Sequence, residues 1–251
     1  MDLSVLRDDM VDGLTHASKG VLESPQVSAA LQTVPRHEFI EADRPELAYE
    51  DRSFTHHNTT ILSPSMVAVL LEALQPQPSH SVLVVGAGTG YTTAVLAEIA
   101  GAKHVNAVDL SRPLVLEARQ NLRKTGYKSV FVDCRDGANG LPEYAPFDRI
   151  LVEAAAMNPP DQLLNQLSVN GQLVMPVGVQ DQTLQSITSD GSRETHGPVQ
   201  FKPLLIKGEQ VGGLERNRTH REDHERAKRI AERRSGWEHD WIDWNQPSNR
   251  K

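Results

Sequence analysis

Cysteine is almost absent: Cys134 is the single one in 251 residues. That excludes an internal disulfide framework and any multi-cysteine metal site. Preceded by Val132 and Asp133, Cys134 reads as a strand-end residue rather than a nucleophile. Long apolar runs are also missing. No stretch approaches the roughly 18 apolar residues that a spanning helix needs, and the start, MDLSVLRDDMVDGL, lacks the basic-then-apolar layout of a signal peptide. A cytoplasmic protein without a membrane partner is therefore expected. Positive charge is in deficit, with 26 Lys and Arg against 33 Asp and Glu and a formal net charge of −7. Binding a polyanion takes a basic surface that releases counterions, so no nucleic-acid partner is expected. What is present is ordinary globular composition, 38% hydrophobic and 24% charged. The length suits one well-filled core with an appendage.

The middle of the chain alternates short apolar runs with helical spacing, the pattern of βαβ units around a buried parallel sheet. SVLVVG from Ser81, HVNAVD from His104, RILVEAA from Arg149 and GQLVMPVG from Gly171 read as strands, with SVFVD from Ser129 a shorter one. TTAVLAEIA from Thr92 and PLVLEARQNLRKTG from Pro113 place apolar residues at i, i+3, i+4 and i+7, the second closing on Gly126 as a C-terminal cap. Strand, helix, strand with short loops predicts an α/β fold with a doubly wound, mostly parallel sheet. Ahead of it, helical patterns over residues 8–22 and 26–33 suggest a cap. After Phe201 the character changes, and residues 207–251 hold 11 Lys and Arg against 9 Asp and Glu with few aliphatics. The expected organisation is residues 1–206 as the main domain, made of a cap and acceptor segment over 1–80 and the sheet over 81–206. Residues 207–251 follow as a charged helical extension.

The stretch VLVVGAGTGYTTAVLAE runs strand, glycine turn, helix. Glycine suits a turn with unusual φ/ψ and a backbone that closely approaches a ligand at a helix N-terminus. An acid at the end of the next strand, about 20 residues on, is the second half of a nucleoside site. Asp109 ends HVNAVD, 19 residues after Gly90. The glycines fall at Gly86, Gly88 and Gly90, and Tyr91 stands where a dinucleotide fingerprint has its third glycine. A bound pyrophosphate is thus disfavoured.

With these residues in view, the chain resembles the protein-L-isoaspartate (D-aspartate) O-methyltransferases. The similarity is carried by VPRHEFI from Val34, AYED from Ala48, SPSMVAVLLEAL from Ser63, GAGTGYTTAVLAE from Gly86, APFDRILVEAAA from Ala145 and LLNQLSVNGQLVMPVG from Leu163. The resemblance implies a Rossmann-like methyltransferase that binds S-adenosyl-L-methionine. Its expected acceptors are isoaspartyl and D-aspartyl residues of damaged proteins and peptides, in a repair role. It places Gly86, Ala87, Gly88, Thr89 and Gly90 along the methionine and ribose, Asp109 with Leu110 at the ribose, and Asp136 and Gly137 near the adenine. A carboxylate at a strand end can accept both ribose hydroxyls, and one on the following loop can accept from the adenine amine. Asp109 also reads as a helix N-cap before Ser111, and Asp136 as a turn former in DCRDGANG.

The sequence departs from the family at the acceptor segment, a T-I-S-x-P stretch in the relatives and TTILSPS from Thr59 here. Aligned on Thr60 and Ile61, Leu62 takes the serine position; shifted by one, Ser63 does. Thr60 and Ser63 are the candidate catalytic hydroxyls, while Ser63 and Pro64 also read as the N-cap and first residue of a helix. The departure leaves two alternatives open: the same chemistry on a dedicated aspartyl peptide, or a cofactor-binding protein without catalysis. His56 and His57 sit side by side on a loop and are not expected to share a metal. His220 and His224, at i and i+4 in the charged tail, are expected on a solvated face, so no metal is predicted. Trp237, Trp241 and Trp244 form one helical stripe, expected to dock on the protein's own surface or on a partner. The oligomeric state is not legible from sequence.

Overall fold

The computed structural model describes residues 2–16, 20–57 and 59–204. The readings for 207–251, including the tryptophan stripe, His220 and His224, lie outside the described residues. Two helices come first, α1 (Leu3–Thr15) and α2 (Pro25–Thr33). A hairpin of β1 (Phe54–His56) and β2 (Thr59–Ile61) leads into α3 (Pro64–Leu74). The predicted alternation follows as β3 (Val82–Val85), α4 (Tyr91–Ala100), β4 (Val105–Asp109), α5 (Arg112–Lys124) and β5 (Phe131–Cys134). It continues through β6 (Phe147–Val152), α6 (Asp161–Leu164) and β7 (Leu167–Val177). The hairpin β8 (Gln182–Thr188) and β9 (Arg193–Val199) ends the series.

All five predicted strands form, and Cys134 does end one. The first helix starts earlier than its apolar pattern, because the Asp2 carboxylate accepts from the Ser4 N–H at 2.9 Å and caps it. Gly126, at φ 97°, stops α5; beyond it the Tyr127 N–H returns to the Leu122 carbonyl at 2.7 Å. The β8–β9 pair was not anticipated, since QTLQSIT and RETHGPV carry too few apolar residues to stand out.

The main sheet runs β5-β4-β3-β6-β7-β8-β9. Its first five strands are parallel neighbours, and β8 and β9 add antiparallel edges. From β3 the chain winds outward through β4 and β5, then returns to place β6 on the other side of β3. That reversal opens a crevice beyond the carboxyl ends of β3, β4 and β6, the place where open α/β sheets bind ligands. All four residues of β3 are buried and alternate between two cores. Val82 and Val84 pack in a cluster with residues of α1 to α5, while Leu83 and Val85 face Phe147, Ile150, Leu163 and Met175. Each fully buried aliphatic side chain contributes about 1.5–3 kcal/mol, so the strand that aims the glycine turn is firmly held. It also offers that crevice no polar side chain. Among the described residues no helix is long and apolar enough to cross a membrane.

Candidate active site

The turn after β3 has Gly86 at φ 94°, Gly88 at φ 52° and Gly90 at φ 96°, a conformation that a side chain would strain at each point. Backbone bonds seat it: the Gly86 and Ala87 N–H groups donate to the Val108 carbonyl at 2.8 and 3.1 Å. Asn121 on α5 holds the Thr89 carbonyl at 3.0 Å. Gly90 then begins α4, with Ala118 of α5 at contact distance from where its Cβ would stand. Tyr91 is buried against Phe39, 5.8 Å between ring centroids, and its bulk fills the room that a dinucleotide site keeps open beneath a pyrophosphate.

Asp109 closes this turn from β4. Its Oδ2 accepts from the Gly88 N–H at 3.0 Å and its Oδ1 from the Ser111 N–H at 2.8 Å. The N-cap position of α5 is Ser111, so Asp109 lies outside the helix start and the N-cap alternative does not describe it. Burial pushes its pKa up, against the N–H groups of Ser111, Gly88 and Leu110, which pull it down. A carboxylate has about four acceptor positions, so these backbone donors leave acceptor capacity for a ribose hydroxyl. Leu110 is 51% exposed beside it, an apolar surface suited to a nucleoside. Asp136 caps a short turn, accepting from the Ala138 N–H at 3.0 Å, so its turn-forming role is realised. Gly137 packs so tightly that a Cβ would lie 2.3 Å from Val85 Cγ1.

The acceptor segment is built differently from the loop read in the sequence. Thr60 pairs with Thr55 across the β1–β2 hairpin and is exposed. Ser63 is the N-cap of α3, accepting from the Met66 N–H at 3.3 Å and lying 3.1 Å from Ser65 Oγ. Leu62 packs against the core, and its carbonyl accepts from Arg36 Nη2 at 2.6 Å. The Leu62 side chain presents nothing polar, whereas Ser63 presents a hydroxyl shared between the Met66 N–H and Ser65 Oγ.

Three residues matter here that the sequence did not single out. Arg36, in the VPRHEFI segment, is fully buried. Its Nε donates to the Ala48 carbonyl at 2.8 Å and its guanidinium lies 4.7 Å from the Tyr91 ring centre. One side chain thereby joins the AYED segment, the acceptor segment and the start of α4. Glu117 on α5 meets His56 at 2.8 Å and His57 at 3.8 Å, gathering three side chains able to hold a metal ion. The close His56–Glu117 hydrogen bond acts as a clasp that ties the hairpin to the helix behind Asp109. Glu153, just beyond β6, is the third. Its backbone N–H donates to the Val85 carbonyl at 2.9 Å, and its Cβ lies 3.5 Å from the Cβ position of Gly86. Burial, first, and the nearby Asp109 carboxylate raise its pKa to about 7, against a lowering hydrogen bond from Thr92. Its Oε1 is buried without a hydrogen-bond partner. In the sequence it lay inside the run RILVEAA read as a strand, and only the observed end of β6 at Val152 sets it at the strand's carboxyl edge. A separate groove of about 650 Å³, between α3 and the β8–β9 hairpin, shares none of these residues.

The geometry has close counterparts. A family model described as protein-L-isoaspartate(D-aspartate) O-methyltransferase matches residues 7–207. Protein-L-isoaspartate O-methyltransferase 2 of Polaromonas sp. is 42% identical over 197 residues, 76% of this chain and 92% of the relative. The Methanopyrus kandleri protein-L-isoaspartate O-methyltransferase is 42% identical over 207 residues, 79% and 91%. A solved protein-L-isoaspartate O-methyltransferase superimposes with a TM-score of 0.71 at 27% identity, covering 85% of this chain and 69% of its own. A Plasmodium falciparum chain solved with S-adenosyl-L-homocysteine has a TM-score of 0.71 at 23% identity, covering 79% and 98%, and shares the fold.

Proposed function

The chain belongs to the protein-L-isoaspartate (D-aspartate) O-methyltransferase family, and from that membership we propose that it methylates L-isoaspartyl and D-aspartyl residues of damaged proteins and peptides, using S-adenosyl-L-methionine. The carrying observation is the crevice in which Asp109 is bonded to the glycine turn at Gly88. That crevice fits the cofactor: a positive-φ turn, a carboxylate with spare acceptor capacity, and an exposed leucine beside it. Gly86 to Gly90 would hold the methionine and ribose, Asp109 with Leu110 the ribose, and Asp136 and Gly137 the adenine. When bound, S-adenosyl-L-methionine supplies a methyl group activated by its sulfonium.

The protein's own part is positioning. An isoaspartyl carboxylate, with a reference pKa near 4, is ionised at pH 7 and needs no general base. Holding it at near-attack distance supplies most of the rate, since well-oriented intramolecular reactions reach effective molarities of about 10⁵–10⁸ M. Ser63 fits this task while remaining a cap: its oxygen accepts from the Met66 N–H, and its hydroxyl, now paired with Ser65 Oγ, would turn to orient the incoming carboxylate. Thr60 contributes from the exposed face of the hairpin. The observation that Leu62 spends its carbonyl on Arg36 and its side chain on the core favours Ser63 over Leu62. In this reading residues 1–206 form the catalytic unit and 207–251 an appendage.

The test uses labelled S-adenosyl-L-methionine and two peptides that differ only in aspartyl versus isoaspartyl linkage. Base-labile methyl incorporation into the isoaspartyl peptide alone is expected. Labelling of neither peptide, with cofactor binding intact, would move the enzyme to another acceptor.

A further inference from the structure

S-adenosyl-L-methionine carries two cations, a sulfonium and an α-ammonium, and burying either without an anion is expensive. The N-terminus of α4 has a positive partial charge, which suits the methionine carboxylate and not its cations. The strand before the turn is VLVV and supplies no charge. Asp109 faces the ribose side and already binds Gly88 and Ser111. The remaining carboxyl at the switch point is Glu153, pressed against the Gly86 end of the turn with Oε1 buried and unpartnered.

Resting on the methyltransferase reading above, we propose that Glu153 is the counter-ion for the cationic methionine end of the cofactor, a cofactor-positioning residue contributed by β6. A carboxyl kept half protonated near neutrality by burial and by Asp109 must ionise fully to serve a cation. Of the groups packed around it, β4 contributes the Asp109 carboxylate, α4 the Thr92 hydroxyl and the turn no charge at all. The free protein therefore holds a proton at Glu153 at low pH, and cofactor binding expels it. The folded carboxyl is protonated below about pH 7, so cofactor affinity falls as the pH drops through that value.

The experiment is titration calorimetry on the full chain with S-adenosyl-L-methionine and S-adenosyl-L-homocysteine, at pH 6 and pH 8. Two buffers of different ionisation enthalpy at each pH give the proton count. The wild type is expected to release close to one proton per cofactor at pH 6, where the cofactor's α-amino group is already protonated, with Kd several-fold weaker than at pH 8. Glu153→Gln is expected to remove that release and bind roughly tenfold or more weakly at pH 8, the range of a lost charge-assisted hydrogen bond. Equal wild-type and variant affinities with equal proton release would overturn the assignment. So would unchanged cofactor binding with a raised KM for peptide, which would turn Glu153 toward the acceptor instead. Should Glu153→Gln fail to fold, the absence of proton release by the wild type at pH 6 would overturn it alone. A wild type that binds no cofactor at either pH defeats the methyltransferase reading, and this inference falls with it.

Discussion

At the scale of single residues, Glu153 is expensive for the free protein to keep. Its folded pKa of about 7 exceeds the unfolded value near 4.3, so the folded state holds the proton more tightly. The stability this lends is full below about pH 4 and is lost as the pH rises through about 7. Without cofactor, Glu153→Gln is therefore expected to be more stable than wild type at pH 8, by on the order of 3–4 kcal/mol, and to lose that advantage by pH 4. Chemical denaturation at the two pH values checks this; a variant less stable at pH 8 would contradict it. Gly86, Gly88, Gly90 and Asp109 were legible because spacing along the chain announces them. Glu153 and Arg36 were not, since their surroundings come from distant segments: Arg36 answers to Ala48 and Leu62, and Glu153 to Gly86 and Asp109.

At the scale of elements, strands with dense apolar residues and helices with marked caps could be read directly. The β1–β2 hairpin escaped because its strands are three residues each and its turn opens with His57 at φ 41° rather than with glycine. This element carries Thr60 and leads into Ser63, and the His56–Glu117 hydrogen bond at 2.8 Å holds it to α5. Glu117→Ala is expected to cost about 1 kcal/mol of stability and to raise KM for isoaspartyl peptide several-fold. The Kd for cofactor should stay within about twofold, as the turn and Asp109 keep their own bonds. Steady-state kinetics beside calorimetry separate the two effects, and a weakened cofactor Kd with normal peptide KM would contradict the clasp.

For the whole molecule, the two halves of the site differ in kind. The proposed cofactor half lies on a parallel sheet whose central strand is buried from both faces, and local sequence pattern fixes it. The proposed acceptor half is assembled from a hairpin, a helix cap and a buried arginine, and only the folded chain brings these together. Repair is what this assembly predicts. Methylation of an isoaspartyl carboxylate makes an ester that the following backbone amide nitrogen attacks, releasing methanol and closing a succinimide, which water opens partly to normal aspartate. The most direct measurement is chromatography of an isoaspartyl peptide incubated with the protein and S-adenosyl-L-methionine over many turnovers. Its aspartyl twin should accumulate through a succinimide only when the cofactor is present. An isoaspartyl peptide left unchanged by a protein that binds the cofactor would contradict the account.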